Sequence, residues 1–186
     1  MKKLLLVFLL AILIIPVAVA PASISQGERI AEYEFMLNKE MKAKQFELFI
    51  EHLGLRESNN QWWITNSIGC IGKWQFTQST LAYLGYPYIT TKKFRRDATI
   101  FPEELQKQVL LSLIKMNEVI LKDYTSYIGK VVSGVTITRS GMIAAAHLGG
   151  AGSVKIFLSS DGRINSHDQY GTSIKKYMND FAMYDF

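Results

Sequence analysis

A single cysteine, Cys70, leaves this chain without an intramolecular disulfide, so its fold must stand on packing alone even in an oxidising compartment. A buried, inert thiol is the role expected of it. Histidine is nearly as scarce: His52, His147 and His167 are far apart in the chain, and no zinc-binding spacing is present, so no metal site is expected. Basic clusters are few. The formal charge of +5 includes Lys2 and Lys3, so the chain beyond Ala20 carries +3, and only Lys92-Lys93 and Arg95-Arg96 stand together. A nucleic-acid partner, which asks for a basic stripe or helix face, is therefore not expected, whereas an anionic polymer fits the mild bias. The sequence shows no internal repeat and no low-complexity linker. With 48% hydrophobic residues in 186 it has the composition of one folded domain with a real core.

The first twenty residues read differently from the rest. Met1-Lys2-Lys3 is a positive start, Leu4 to Val19 is an apolar run of 16 residues, and Ala18-Val19-Ala20 is a small-residue cleavage signal. This is the pattern of a secretory signal peptide over residues 1–20, followed by one domain over residues 21–186. An uncleaved membrane anchor is the alternative, but the run falls short of the ~20 residues a spanning helix needs and contains Pro16. No permanent membrane span is expected after cleavage, and the mature chain is expected to be exported.

Helical periodicity dominates the chain beyond residue 25. Ile30, Tyr33, Leu37, Met41, Phe46, Phe49, Ile50 and Leu53 recur at three- and four-residue steps, and no proline interrupts Gln26 to Leu55. Gly54 is expected to loosen the last turn. Thr77 is placed to cap a short helix to Leu84, stopped by Gly85. Thr90 to Thr99 reads as a polar, basic loop. Pro102, Glu103 and Glu104 start a long helix that Gly129 could end, with Leu105, Val109, Leu113, Met116, Ile120 and Tyr124 on its core face. Val131 to Thr138 is a short strand or an extended link. Arg139 to Leu148 is a small-residue helix broken by Gly149-Gly150-Ala151-Gly152 and resumed from Val154 to Leu158, with a turn at Asp161-Gly162. Gly171-Thr172-Ser173 caps a last helix towards Phe181.

The chemistry concentrates between Leu55 and Phe76. Arg56-Glu57-Ser58-Asn59-Asn60 leads past Trp62 and Trp63 to Gly69-Cys70-Ile71-Gly72-Lys73-Trp74-Gln75-Phe76. A carboxylate among apolar rings loses hydration, and one at a helix C-terminus meets the negative end of the helix dipole. Both favour the protonated form that a general acid needs. A solvated glutamate at a helix end is the plain alternative. Gln75 offers a donor and an acceptor to a ligand, Ser58 or Asn60 could orient the acid or the ligand, and the tryptophans offer flat faces or simply core.

These residues resemble the lysozyme-like lytic transglycosylases of the soluble-lytic-transglycosylase type. That family's signature is Glu-Ser, a loop, then Gly-Leu-Met-Gln. Here Glu57-Ser58 is followed by Gly72-Lys73-Trp74-Gln75, with Gln75 standing 18 residues after Glu57 as in the family. A second family block, Ala-Tyr-Asn-Ala-Gly-x-Gly, is similar to Ala146-His147-Leu148-Gly149-Gly150-Ala151-Gly152. The chain departs from the pattern at Lys73 and Trp74 in place of Leu-Met, and at His147 and Leu148 in place of Tyr-Asn. His147 could take over the tyrosine's hydrogen bonding or serve in packing.

The resemblance implies a mainly α, lysozyme-like single domain with at most a minor β element. Its implied activity is cleavage of the bond between N-acetylmuramic acid and N-acetylglucosamine in peptidoglycan, with a 1,6-anhydro product. Glu57 would be the single catalytic acid and base, with Ser58, Asn60, Gln75, Trp74 and His147 around the substrate. Peptidoglycan glycan strands are the implied partner, no cofactor is implied, and no protein partner can be named. One carboxylate suffices for that reaction, whereas the usual two-carboxylate glycosidases need a second, and the sequence holds no Asp or Glu between Glu57 and Asp97. A hydrolytic lysozyme- or chitinase-like enzyme using Asp97, Asp161 or Asp168 is the alternative. A module that binds peptidoglycan without cutting it is another.

Overall fold

The computed structural model describes Ser25–Phe186; the expected signal peptide lies outside the described residues. Contacts divide the described residues into two units, with the boundary between Met36 and Leu37. Of the first unit, Ser25–Met36 are described. They form the start of helix α1, Gln26–Ser58, opened by a reciprocal cap in which the Glu28 N–H donates to Ser25 Oγ and the Ser25 N–H to Glu28 Oε2. Ile30, Tyr33, Phe35 and Met36 are exposed in this stretch.

The second unit is mainly helical. After α1 come α2 (Gln78–Tyr83), α3 (Thr91–Arg96), α4 (Glu103–Ile120), a two-residue hairpin β1 (Val131–Val132) and β2 (Val135–Thr136), α5 (Arg139–Ser159) and α6 (Ile174–Asp180). Side-chain caps start four of them as the local sequence requires. Thr77, Thr90, Thr138 and Ser173 each accept from the N–H three residues on. The hairpin is antiparallel, pairing Val131 with Thr136 and Val132 with Val135 across Ser133-Gly134, both with positive φ.

Helix α5 is the centre of the core. Its first half, Ser140 to Ala146, is buried throughout, because small side chains let α4 and α6 close on it from several sides. Gly141 shows how close: a Cβ there would stand 2.5 Å from the Met178 carbonyl oxygen of α6. The expected break is present as a kink at Gly150, whose φ of 78° and ψ of 154° interrupt the helical backbone. On the other side Phe49, Ile50 and Leu53 of α1 enter the same core. There the Phe49 ring lies 5.7 Å from both Phe181 and Tyr184, edge-on to each. His52 Nδ1 and the Tyr184 hydroxyl, 2.8 Å apart, tie α1 to the C-terminal tail.

Several elements differ from the sequence expectation. Thr90–Thr99 is not a loop: Thr90 caps α3, and Phe94, 1% exposed, pins that turn into the core. Pro102 is the residue before α4 rather than its first, and α4 ends at Ile120 in a 3-10 stretch from Lys122 to Tyr127, well before Gly129. Leu37 and Met41 are exposed, so the buried face of α1 begins near Phe46.

Gly54 does not loosen α1. It is buried, and a Cβ there would lie 2.5 Å from Asn60 Oδ1 and 2.9 Å from Lys73 Cε. Gly54→Ala is therefore expected to lose about 1–3 kcal/mol from overpacking, despite alanine's advantage of about 1 kcal/mol in a helix. A denaturant midpoint at or above that of the wild type would show that the Asn60 turn can move aside.

Candidate active site

Glu57 stands in the last turn of α1, half-buried. The helix stops just beyond it because Asn59 and Asn60 both take positive φ, 58° and 60°, a conformation asparagine tolerates. The Asn60 N–H returns to the Gly54 carbonyl at 3.1 Å and closes the end of the helix. From there the chain folds into a bridged loop rather than a free one. Ile71 and Phe76 exchange backbone hydrogen bonds at 2.9 Å, and the Gly72 N–H donates to the Ile64 carbonyl at 2.9 Å.

The loop is fastened to its surroundings residue by residue. Gln106 of α4, fully buried, accepts from the Lys73 N–H at 2.7 Å and donates to the Trp62 and Phe101 carbonyls. The Ser58 hydroxyl donates to the Lys73 carbonyl at 2.7 Å. The Lys73 ammonium, 6% exposed in its side chain, lies 2.8 Å from Glu51 of α1 and 2.9 Å from Glu103 of α4. Burial by itself would lower its pKa. The hydrogen bonds and charges of the two carboxylates outweigh that and hold it above the ordinary lysine value. Trp74 donates its indole N–H to the Ile50 carbonyl at 2.8 Å, and its own carbonyl meets His147 Nε2 at 2.9 Å. Held this way, Gln75 sits buried with a φ of 49°, its Nε2 donating to the Gly72 carbonyl at 2.7 Å.

A hollow of about 250 Å³ opens beside Glu57, with Asn66, Cys70, Gln75, His147 and Asp168 among its lining residues. A second, of about 530 Å³, runs on from it, sharing Thr77, His147 and Leu148 and reaching Tyr83 and Gly152. Comparison with known protein families, curated proteins and solved structures gives no match. The site therefore rests on its own geometry.

Of the six residues the sequence singles out, Glu57, Gln75 and His147 line one hollow. The other three do not. Ser58 is buried and spends its hydroxyl on the Lys73 and Gly54 carbonyls, and Asn60 packs its Oδ1 against Gly54. Trp74 is 1% exposed, so its indole is core and not a face for a ligand. Trp62 and Trp63 contact each other edge-on at 5.9 Å, and neither is among the lining residues. Of the three candidate second acids, Asp168 lines the hollow. Asp97 instead caps Thr99, and Asp161 belongs to a turn. Among the described residues no group of three or more His, Cys, Asp or Glu is placed to hold a metal.

Sequence reasoning missed Tyr177. Its hydroxyl donates a short hydrogen bond to Glu57 Oε1, and Arg56 lies over its ring at 5.4 Å. In the sequence it is one more apolar position of α6, beside Ile174 and Met178 and ahead of Phe181, and nothing there marks it as polar. Burial, then the charge and hydrogen bond of Glu57, push its phenol far above the ordinary tyrosine range, with Arg56 opposing. Cys70 is also raised: burial pushes it up, the Asn66 side chain pulls it partly back, and the Glu57 charge adds to the rise. The thiol stays protonated at neutral pH, which makes it a poor nucleophile.

The Tyr177 shift has a stability consequence. A group whose folded pKa is raised contributes its full share below its unfolded value, about 10 for tyrosine, and loses it as pH climbs beyond. Lys73, shifted in the same direction, acts in a neighbouring alkaline window. Tyr177→Phe is expected to lose about 1.5–3 kcal/mol at pH 8, where a hydrogen bond to a charged group disappears. From pH 10 upward its stability should fall less steeply than the wild type's, by up to about 1.4 kcal/mol per pH unit. Parallel melting curves from pH 8 to 11 would contradict this.

Proposed function

We propose that this chain is a lysozyme-like domain that cleaves the glycan strand of peptidoglycan as a lytic transglycosylase, exported to the cell envelope. The observation that carries the proposal is a half-buried glutamate, oriented by a tyrosine hydroxyl, in a hollow whose walls include the Gln75 loop and the His147 helix. With Oε1 held by Tyr177, Oε2 is the oxygen left to transfer a proton. Glu57 protonates the glycosidic oxygen as the bond to the anomeric carbon breaks, and the sugar's own 2-acetamido oxygen supports the carbon left behind. The resulting Glu57 carboxylate then takes the proton of the muramoyl 6-hydroxyl, which attacks that carbon and closes the 1,6-anhydro ring. The acid is regenerated and no water is consumed. Acid–base help of this kind is typically worth ~10²–10⁴ in rate, and positioning must supply the rest.

Asp168 supports a second reading. Its presence in the same hollow leaves room for a hydrolytic route in which it assists at the opposite face of the sugar. Its Oδ1 already accepts from the Tyr170 and Thr172 N–H groups, which explains its placement without catalysis and is why it ranks second. Mass spectrometry of purified sacculi digested by the protein separates the possibilities. Anhydro-ended muropeptides support the transglycosylase, and reducing ends support hydrolysis through Asp168. Binding to sacculi with no soluble product would leave a binding module.

A further inference from the structure

Helix α1 carries a second apolar stripe besides the one it buries. Ile30, Leu37, Met41 and Leu48 are between 44% and 53% exposed, whereas Phe49, Ile50 and Leu53 of the same helix enter the core. Positions 30, 34, 37, 41, 44 and 48 alternate steps of four and three residues, the spacing of a coiled-coil seam. Helical register puts Phe49, Ile50 and Leu53 on the other side. Two charged residues complete the seam, Glu34 and Lys44, and both are exposed. The order is self-complementary when reversed. Two copies of the helix laid antiparallel about Lys39 set Ile30 against the second copy's Leu48, Glu34 against its Lys44, and Leu37 against its Met41. Every layer then joins apolar to apolar or acid to base.

We propose that this face of α1 binds a second copy of the chain, antiparallel, along residues 30–48. Glu34 and Lys44 choose the partner and the direction. A parallel pair sets Glu34 on Glu34 and Lys44 on Lys44, and like charges facing each other in a seam are repelled. A lipid surface or an apolar protein face covers both charges without pairing them, which is costly. The reversed copy of the same helix pairs both. One adverse contact remains, because Glu40 flanks the seam beside its own copy near the two-fold axis. It lies at the wet edge of the pair, where a charge contact counts for little. The proposal goes beyond the glycan assignment and does not depend on it.

The test is analytical ultracentrifugation of the exported protein over a concentration series, as wild type, Glu34→Lys, Lys44→Glu and the double exchange. The wild type is expected to pass from monomer to dimer as concentration rises. Glu34→Lys sets lysine against lysine in both charged layers, and Lys44→Glu sets glutamate against glutamate. Each is expected to weaken pairing at least about tenfold. The double exchange makes the layers opposite again and should return to within about threefold of the wild type. An equimolar mixture of the two single variants should form a heterodimer for the same reason, and it decides alone if the double exchange does not fold. A wild type still monomeric at about 1 mM overturns the proposal. So does pairing that ignores both single substitutions, which is the result a parallel pair or another face would give. Loss in the single variants with no recovery in the double exchange or the mixture overturns it as well. None of these outcomes touches the glycan assignment, which stands or falls on the digestion of sacculi.

Discussion

Glu57→Gln is expected to lower glycan cleavage by at least ~10²–10⁴-fold while leaving the protein folded and able to pellet with sacculi. Glutamine preserves the shape of the side chain and an oxygen to receive the Tyr177 hydroxyl, so the short contact between α1 and α6 survives. What it removes is the transferable proton, and in the proposed mechanism both halves of the reaction pass through that proton. The loss should fall on kcat more than on KM, because the substitution touches the transition state and hardly alters ground-state binding. Release of soluble muropeptides within tenfold of the wild-type rate would remove Glu57 from the chemistry and turn attention to Asp168, the other carboxylate in the hollow.

Gly72→Ala should cost about 3 kcal/mol and most of the activity together. Gly72 has a φ of 82°, which L-residues adopt at a cost of roughly 1–2 kcal/mol. A Cβ there would also meet Gln106 Oε1 at 2.4 Å and its Cδ at 2.7 Å. Gln106 cannot swing away cheaply, since its amide bonds the Lys73 N–H and the Trp62 and Phe101 carbonyls, and moving it strands all three. Overpacking of this kind adds about 1–3 kcal/mol. For a chain of this length the melting temperature should fall by roughly 6–12 °C. The same displacement moves Gln75, whose side chain is bonded to the Gly72 carbonyl, out of the hollow. Melting within about 2 °C of the wild type would mean that the loop does not depend on this close approach.

The two substitutions probe different layers of one arrangement. Glu57 is presented by a helix end whose stop signal is local. Gln75 is presented by a loop whose shape is dictated from α4, more than thirty residues away along the chain. The Lys73 ammonium belongs to that second layer. Between Glu51 and Glu103 it joins α1 to α4 beneath the loop, and it occupies the place where the resemblance would put leucine. A cation there needs a carboxylate beside it, because a buried charge without a partner is strongly destabilising.

Much of the local architecture was already determined by the sequence: the mainly helical class, the caps at Thr77 and Ser173, the turn at Asp161-Gly162, the break at Gly150, and Glu57 in the last turn of its helix. Each depends on a residue's own backbone preference or on a hydrogen bond to a group three or four positions away, and such information is carried in a short window. The tertiary structure alone decided which polar groups meet. Tyr177 reaches Glu57 across 120 residues, Gln106 reaches Lys73 across 33, and His147 reaches the Trp74 carbonyl across 73. It also decided that Trp74 is core and Asp168 is not remote. Packing makes those choices, because where helices cross depends on the fit of all their side chains at once, and no local window of sequence contains that fit.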